Sequence, residues 1–191
     1  MYKNDISNYI EKLQTTLGSL NIEDIDVCIN ELMKAYTNNN NIFICGNGGS
    51  ASTASHFACD LNKGVSYGLE QKFKIIPLTD SLSTITAYTN DLSYDIIFVE
   101  QLKNFFKKGD ILIGISGSGN SQNVLNAIEY VNENNGVTIG WTGFDGGKLK
   151  GLAQHSINAN INDMQISEDV HMILVHIIMK TLSTKLGSPN C

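Results

Sequence analysis

The stretch 42–61, IFICGNGGSASTASHFACDL, decides the fold. Four apolar residues are followed at once by Gly46, Gly48 and Gly49, and then by a run of small residues carrying His56 and Asp60. An apolar run that ends in glycine and opens onto a helical stretch reads as a strand turning tightly into a helix. Short apolar runs ended by Gly, Ser or Asp and followed by helical stretches recur downstream and predict strands at 42–45, 73–78, 111–115, 137–141 and 156–161. Continuous apolar strands alternating with helices indicate a parallel sheet covered on both faces, a doubly wound, five-stranded α/β fold. Ligands of such sheets bind beyond the carboxyl ends of the strands.

The flanking segments are helical. Ile10, Leu13 and Leu17, then Ile25, Cys28, Ile29, Leu32 and Met33, recur at helical spacing and predict two amphipathic helices broken between Gly18 and Asn21. Such a pair either packs on a partner or covers the sheet of its own chain. A last helix is expected over 167–186; it is apolar around much of its circumference, which predicts burial between elements or subunits. The chain of 191 residues suits one domain over 1–191, with 1–40 as an N-terminal helical extension and 41–187 as the α/β core and C-terminal helix.

Composition narrows the function. Thirteen basic against 19 acidic residues give a formal charge of −6, which argues against a nucleic-acid or membrane-surface partner. No apolar run approaches the roughly 20 residues that span a bilayer, and the polar start MYKNDISNYIEK lacks a signal-peptide core, so a cytoplasmic protein is expected. Cys28, Cys45, Cys59 and Cys191 show no CxxC spacing and read as reduced thiols, Cys45 and Cys59 as buried apolar fillers.

Two loops carry the chemistry. GNGGSA follows the first strand and SGSGNS the third, so both fall on the same edge of the sheet, each before a helix. Helix N-termini offer unpaired N–H donors and the positive end of the dipole, glycines let an anion approach the backbone, and Ser50, Ser116, Ser118 and Ser121 add hydroxyls. Neither loop contains GK[ST], which excludes a Walker-type site. Gly46, Gly48 and Ala51 satisfy G-x-G-x-x-A, but the nearest acidic candidate for a ribose, Asp80, lies 34 residues past Gly46 instead of about 20. A phosphate is the better ligand.

His56 and Asp60 are four apart and share a helix face, a plausible half of a zinc site. On the last helix Glu168 and His176 are separated by about 12 Å of rise and about 80° of rotation, so long side chains leaning together just reach one ion. His171 stands about 140° from His176 and reads as a structural histidine. His155 reads as a surface residue at a strand start.

The motifs GNGGSASTASHFACDL, AYTND, GISGSGNSQNVLNAI, TGFDGGKLKGLA and EDVHMILVHIIM, in consistent order from about Asn41 to Met179, together resemble the phosphoheptose isomerases of the sugar isomerase (SIS) domain superfamily. The resemblance implies an enzyme that converts D-sedoheptulose 7-phosphate to D-glycero-D-manno-heptose 7-phosphate on the way to bacterial surface polysaccharides, lipopolysaccharide or capsule. It also implies a homotetramer with a central helical bundle and active sites at subunit interfaces.

Carried over residue by residue, Asn47, Gly48, Gly49, Ser50, Asn90 and Asp91 would contact substrate, and Ser116, Gly117, Ser118 and Ser121 would form the phosphate loop. His56 and His176 fall on metal ligands, and His176 also on the catalytic acid. Three positions depart from the family pattern: Asp60 replaces the catalytic and metal-binding glutamate, Glu168 a glutamine, and Gly117 the usual threonine. With Asp60 as base, the expected ligand set for zinc is His56, Asp60, Glu168 and His176. Two alternatives stay open at this stage: an isomerase of another phosphosugar, and a non-catalytic module, since some relatives associate with a replication initiator protein instead.

Overall fold

The computed structural model describes residues 2–188. Two helices, α1 (Lys3–Gly18) and α2 (Ile22–Asn38), precede five strands: β1 (Ile42–Gly46), β2 (Ile75–Pro77), β3 (Ile111–Ser116), β4 (Val137–Thr142) and β5 (His155–Asn158). Between the strands run α3 (Gly49–Cys59), continued by a π-helical turn (Asp60–Val65), α4 (Leu82–Asp91), α5 (Ile97–Phe105), α6 (Gln122–Glu133) and α7 (Gly147–Leu152); α8 (Met164–Leu186) closes the chain. All strand pairs are parallel, in the order β2-β1-β3-β4-β5.

Alternation along the strands builds two cores. Ile42, Ile44, Ile113, Ile115 and Trp141 pack under α2, α3 and α8, while Phe43, Cys45 and Leu112 pack under α5, α6 and α7. In this strand order the connection reverses direction between β1 and β3, which opens a crevice at their carboxyl ends. Both glycine loops end there.

The expected strands all exist, with shifted ends. β2 is confined to Ile75–Pro77 because the Phe73 N–H donates to Ser66 Oγ at 3.0 Å and Pro77 has no N–H to offer. β5 begins at His155, which is half-buried there, and stops at Asn158. Helix α8 begins three residues before the expected Ser167, where the Asp163 side chain accepts the Ile166 N–H at 3.3 Å and caps it. Cys28 and Cys45 are buried, but Cys59 is exposed, because α3 buries the opposite face through Thr53, Ala54, Phe57 and Ala58. Cys191 lies outside the described residues.

The N-terminal pair divides its work. Helix α2 covers the sheet through Ile25, Cys28, Ile29, Leu32 and Ala35, whereas α1 buries only Thr16 and exposes Tyr2-side residues Ile6, Tyr9 and Ile10. No helix among the described residues is long and apolar enough to cross a membrane.

His171 is a core histidine. It is 1% exposed beside Trp141, and its Nε2–H donates to the Thr142 carbonyl at 3.1 Å. Burial pulls its pKa down from 6.5 to about 4, so the folded state keeps the ring neutral where the unfolded chain already binds a proton. Stability is therefore full above about pH 6.5 and is lost as the pH falls toward about 4, by on the order of 3 kcal/mol from this group. Urea unfolding of wild type and His171→Gln across this range is expected to show the wild type losing more stability on acidification than the variant.

Candidate active site at the sheet switch point

The two loops enclose a pocket of about 290 Å³ lined by Asn47, Gly48, Gly49, Ser50, Ser116, Gly117, Ser118, Ser121, Met164 and Glu168. Neither N-cap residue, Gly48 of α3 or Ser121 of α6, bonds its own helix through a side chain, so both helix ends face the pocket with donors to spare. Gly48 adopts φ 55° and ψ −122°, a conformation open to glycine alone. The Ser121 hydroxyl instead pairs with Ser116 Oγ at 3.0 Å.

The second loop is braced from behind by the TGFDGG turn. Gly143 N–H donates to the Gly117 carbonyl at 2.8 Å and Leu149 N–H to the Gly119 carbonyl at 2.9 Å. At Gly119, φ +66°, a Cβ would come within 2.0 Å of the Gly146 carbonyl oxygen, so glycine is required for this contact. That turn was visible in the sequence as a motif, but not its role.

The charge in the pocket is uneven. Glu168 lies over the start of α3: a Cβ on Gly49 would meet its Oε1 at 2.4 Å. A carboxylate suits a helix N-terminus, and one already placed there steers a second anion elsewhere. The start of α6, with Ser116, Ser118 and Ser121, lines the rest of the pocket with hydroxyls.

Beside this pocket, α8 crosses the π-helical turn. Gly64 makes the crossing close, since a Cβ there would meet Met179 Cε at 2.8 Å. The crossing brings three side chains together: His56 Nε2 lies 3.5 Å and His176 Nε2 4.0 Å from Asp60 Oδ2, and the two Nε2 atoms are 3.3 Å apart. The rings meet edge to face, and the cluster is open to solvent on the side of His56 and His176, whose side chains are 44% and 55% exposed. Donor atoms on one tetrahedral ion with bonds of about 2.1 Å stand about 3.4 Å apart, so the three separations suit a shared ion. Two imidazoles and one carboxylate leave a fourth position open.

Within one chain, two sets of the expected site residues lie elsewhere. Glu168 is outside the cluster: about 12 Å of helical rise separates it from His176, and its carboxylate lies over Gly49. Asn90 and Asp91 are exposed at the end of α4, hydrogen-bonded to one another at 2.7 Å, and do not line the pocket. Three lining or bracing residues escaped the sequence: Met164, Tyr94 and Asn123. Met164 explains Gly117, because a Cβ at 117 would lie 2.4 Å from its Sδ.

The comparisons agree with this architecture. Residues 1–143 match the family model described as SIS domain, which makes the chain a sugar-isomerase-domain protein. A phosphoheptose isomerase of Helicobacter pylori is 35% identical over 100% of this chain and 98% of its own length. A probable phosphoheptose isomerase of Thermoplasma acidophilum is 35% identical over 95% and 99%. Among solved structures, phosphoheptose isomerase GmhA from Neisseria gonorrhoeae superposes with a TM-score of 0.86 at 28% identity, over 95% of this chain and 96% of that one. Within the SIS-domain proteins, the chain belongs to the phosphoheptose isomerase family.

The Met164 thioether and the space above Gly117 are expected to be coupled. Gly117→Thr should overpack the loop and destabilise the fold by about 1 kcal/mol. In Gly117→Thr/Met164→Ala most of that loss should return, as thermal unfolding of the single and double variants would show.

Proposed function

We propose that the protein is an aldose–ketose isomerase interconverting D-sedoheptulose 7-phosphate and D-glycero-D-manno-heptose 7-phosphate, in the synthesis of heptoses for a surface polysaccharide. The observation that carries this reading is the juxtaposition of a serine-rich anion pocket with a His–Asp–His cluster, both reached by α8. Glu168 at one and His176 at the other are separated by about 12 Å along the helix, the scale of an extended sugar phosphate and not of a phosphate alone.

Isomerisation moves a proton between adjacent carbons through an enediol, which calls for a base, an acid and stabilisation of oxygen charge. Asp60 is the base, its carboxylate held by the start of the π-helical turn and 18% exposed. His176 delivers and recovers the proton at the carbonyl oxygen. Ser116, Ser118 and Ser121 grip the phosphate, and that remote binding energy orients the reacting carbons over Asp60. Asn47, Gly48, Gly49 and Ser50 meet the sugar between the two ends, with Glu168 available to a hydroxyl. Asn90 and Asp91, remote from this pocket within one chain, would act across a subunit interface.

His56, Asp60 and His176 would hold one zinc ion, which supplies polarisation of the substrate's carbonyl and hydroxyl oxygens. The exposed apolar face of α1 and the absence of any buried residue on α4 support assembly, read here as a homotetramer in the cytoplasm.

Enzyme-coupled detection of heptose phosphate should show turnover with zinc supplied, and Asp60→Ala and His176→Ala should each lower it roughly a hundredfold or more. No turnover by the zinc-supplied wild type, or full turnover by both variants, contradicts the assignment. Metal analysis after dialysis should find zinc retained by Glu168→Gln and lost from His56→Ala and His176→Ala; retention that depends on Glu168 would restore it to the ligand set.

A further inference from the structure

Behind the first glycine loop lies a hydrogen-bond network that none of the site residues above accounts for. Asn123, on the first turn of α6, is 1% exposed. Its side chain and that of Asn47 form a reciprocal amide pair: Asn47 Nδ2 donates to Asn123 Oδ1 at 2.9 Å, and Asn123 Nδ2 donates to Asn47 Oδ1 at 2.9 Å. The Tyr94 hydroxyl donates to the same Asn47 Oδ1 at 2.7 Å. Tyr94 belongs to a short 3₁₀ turn (Tyr94–Ile96) that is itself tied to α6 by Asn126 Nδ2 donating to the Asp95 carbonyl at 2.9 Å.

The polarity of this network is set by a backbone group. The Val124 N–H, shared with the Ser121 carbonyl at 3.0 Å, lies 2.9 Å from Asn123 Oδ1; the flipped amide would set its NH₂ donor to donor against it, so the oxygen of Asn123 takes that side. Asn123 is then left to offer its NH₂ to Asn47, and Asn47 must turn its oxygen toward Asn123 and Tyr94. Both acceptor sites of that oxygen are filled, and one Asn47 N–H is used on Asn123. What remains for the pocket that Asn47 lines is a single N–H.

We infer that Asn123, seconded by Tyr94, is a positioning residue that locks the Asn47 amide so that it presents an N–H to the sugar and recognises an acceptor oxygen there. The inference rests on the sugar-phosphate reading of the pocket and deepens it. Because Asn123 stands on the helix whose N-terminus faces the phosphate, the same amide pair also fixes the sugar-binding loop relative to the phosphate loop. An amide pair of this kind, with Asn123 buried and Asn47 lining the pocket, specifies one geometry, and truncating Asn47 leaves the buried Asn123 amide unmatched.

The test is calorimetric binding of sedoheptulose 7-phosphate and of inorganic phosphate to the full chain. Asn47→Asp keeps the shape but replaces the free N–H by an acceptor; Asn123→Asp keeps the acceptor for Val124 but removes the donor to Asn47. Each is expected to weaken sugar-phosphate binding about tenfold or more while changing inorganic phosphate less than about threefold, with the two sites non-additive: Asn47→Ala/Asn123→Asp should bind no more weakly than Asn47→Ala. Tyr94→Phe should act in the same direction by less. Unimpaired sugar-phosphate binding by Asn47→Asp, equal losses for both ligands, or additive losses in the double variant would overturn the inference. Since these are binding ratios, a wild type that shows them without turning over substrate contradicts the isomerase and not the amide.

Discussion

The close crossing of α8 over the π-helical turn is the contact on which the site depends. Alone, α3 carries His56 and Asp60 as an ordinary pair four residues apart, open to solvent. Once Gly64 lets α8 approach, His176 arrives within 3.3 Å of the His56 ring nitrogen, and a pair becomes a three-donor cluster. The change from α to π winding at Asp60 is part of this arrangement, and such local widening of a helix is often found where a side chain has to be aimed. The same helix reaches the glycine-loop pocket through Met164 and Glu168 at its first turns. One rigid element thus sets the distance between the pocket and the cluster.

The sheet does the complementary work. Its order puts the ends of β1 and β3 side by side at the point where the connection reverses, so two loops far apart in sequence share one crevice. The reciprocal Asn47–Asn123 amides and the TGFDGG turn behind Gly119 then hold the two loops in register. The pocket offers backbone donors, hydroxyls and helix N-termini with no lysine or arginine in its lining, in keeping with the acidic balance of the chain.

Much of this was legible in the sequence because it is local. Short apolar runs ended by Gly, Ser or Asp mark the five strands; the spacing of His56 and Asp60 gives their shared face; helical phase alone separates His171 from His176. The losses were non-local. Glu168 has the reach to join His176, but reach says nothing about where the carboxylate turns, and it lies over the start of α3. Cys59 looked like filler beside buried Phe57 and Ala58, yet it sits on the far face of α3. Asn123 and Tyr94 are ordinary polar residues in a helix and a turn, and only the fold places them 76 and 47 positions away against Asn47. The neighbour of Gly117 is likewise visible only in three dimensions, where a Cβ at 117 would meet the Met164 thioether.

His56, Asp60 and His176 as one ion site, with Glu168 outside it, is the arrangement to test. X-ray absorption at the zinc edge of the loaded, full-length protein reads this most directly, because imidazole rings give a distinctive outer-shell signal. Two imidazoles and light oxygen donors are predicted, with the same spectrum from Glu168→Gln. A spectrum with fewer than two imidazoles, or one that changes when Glu168 is replaced, would contradict it.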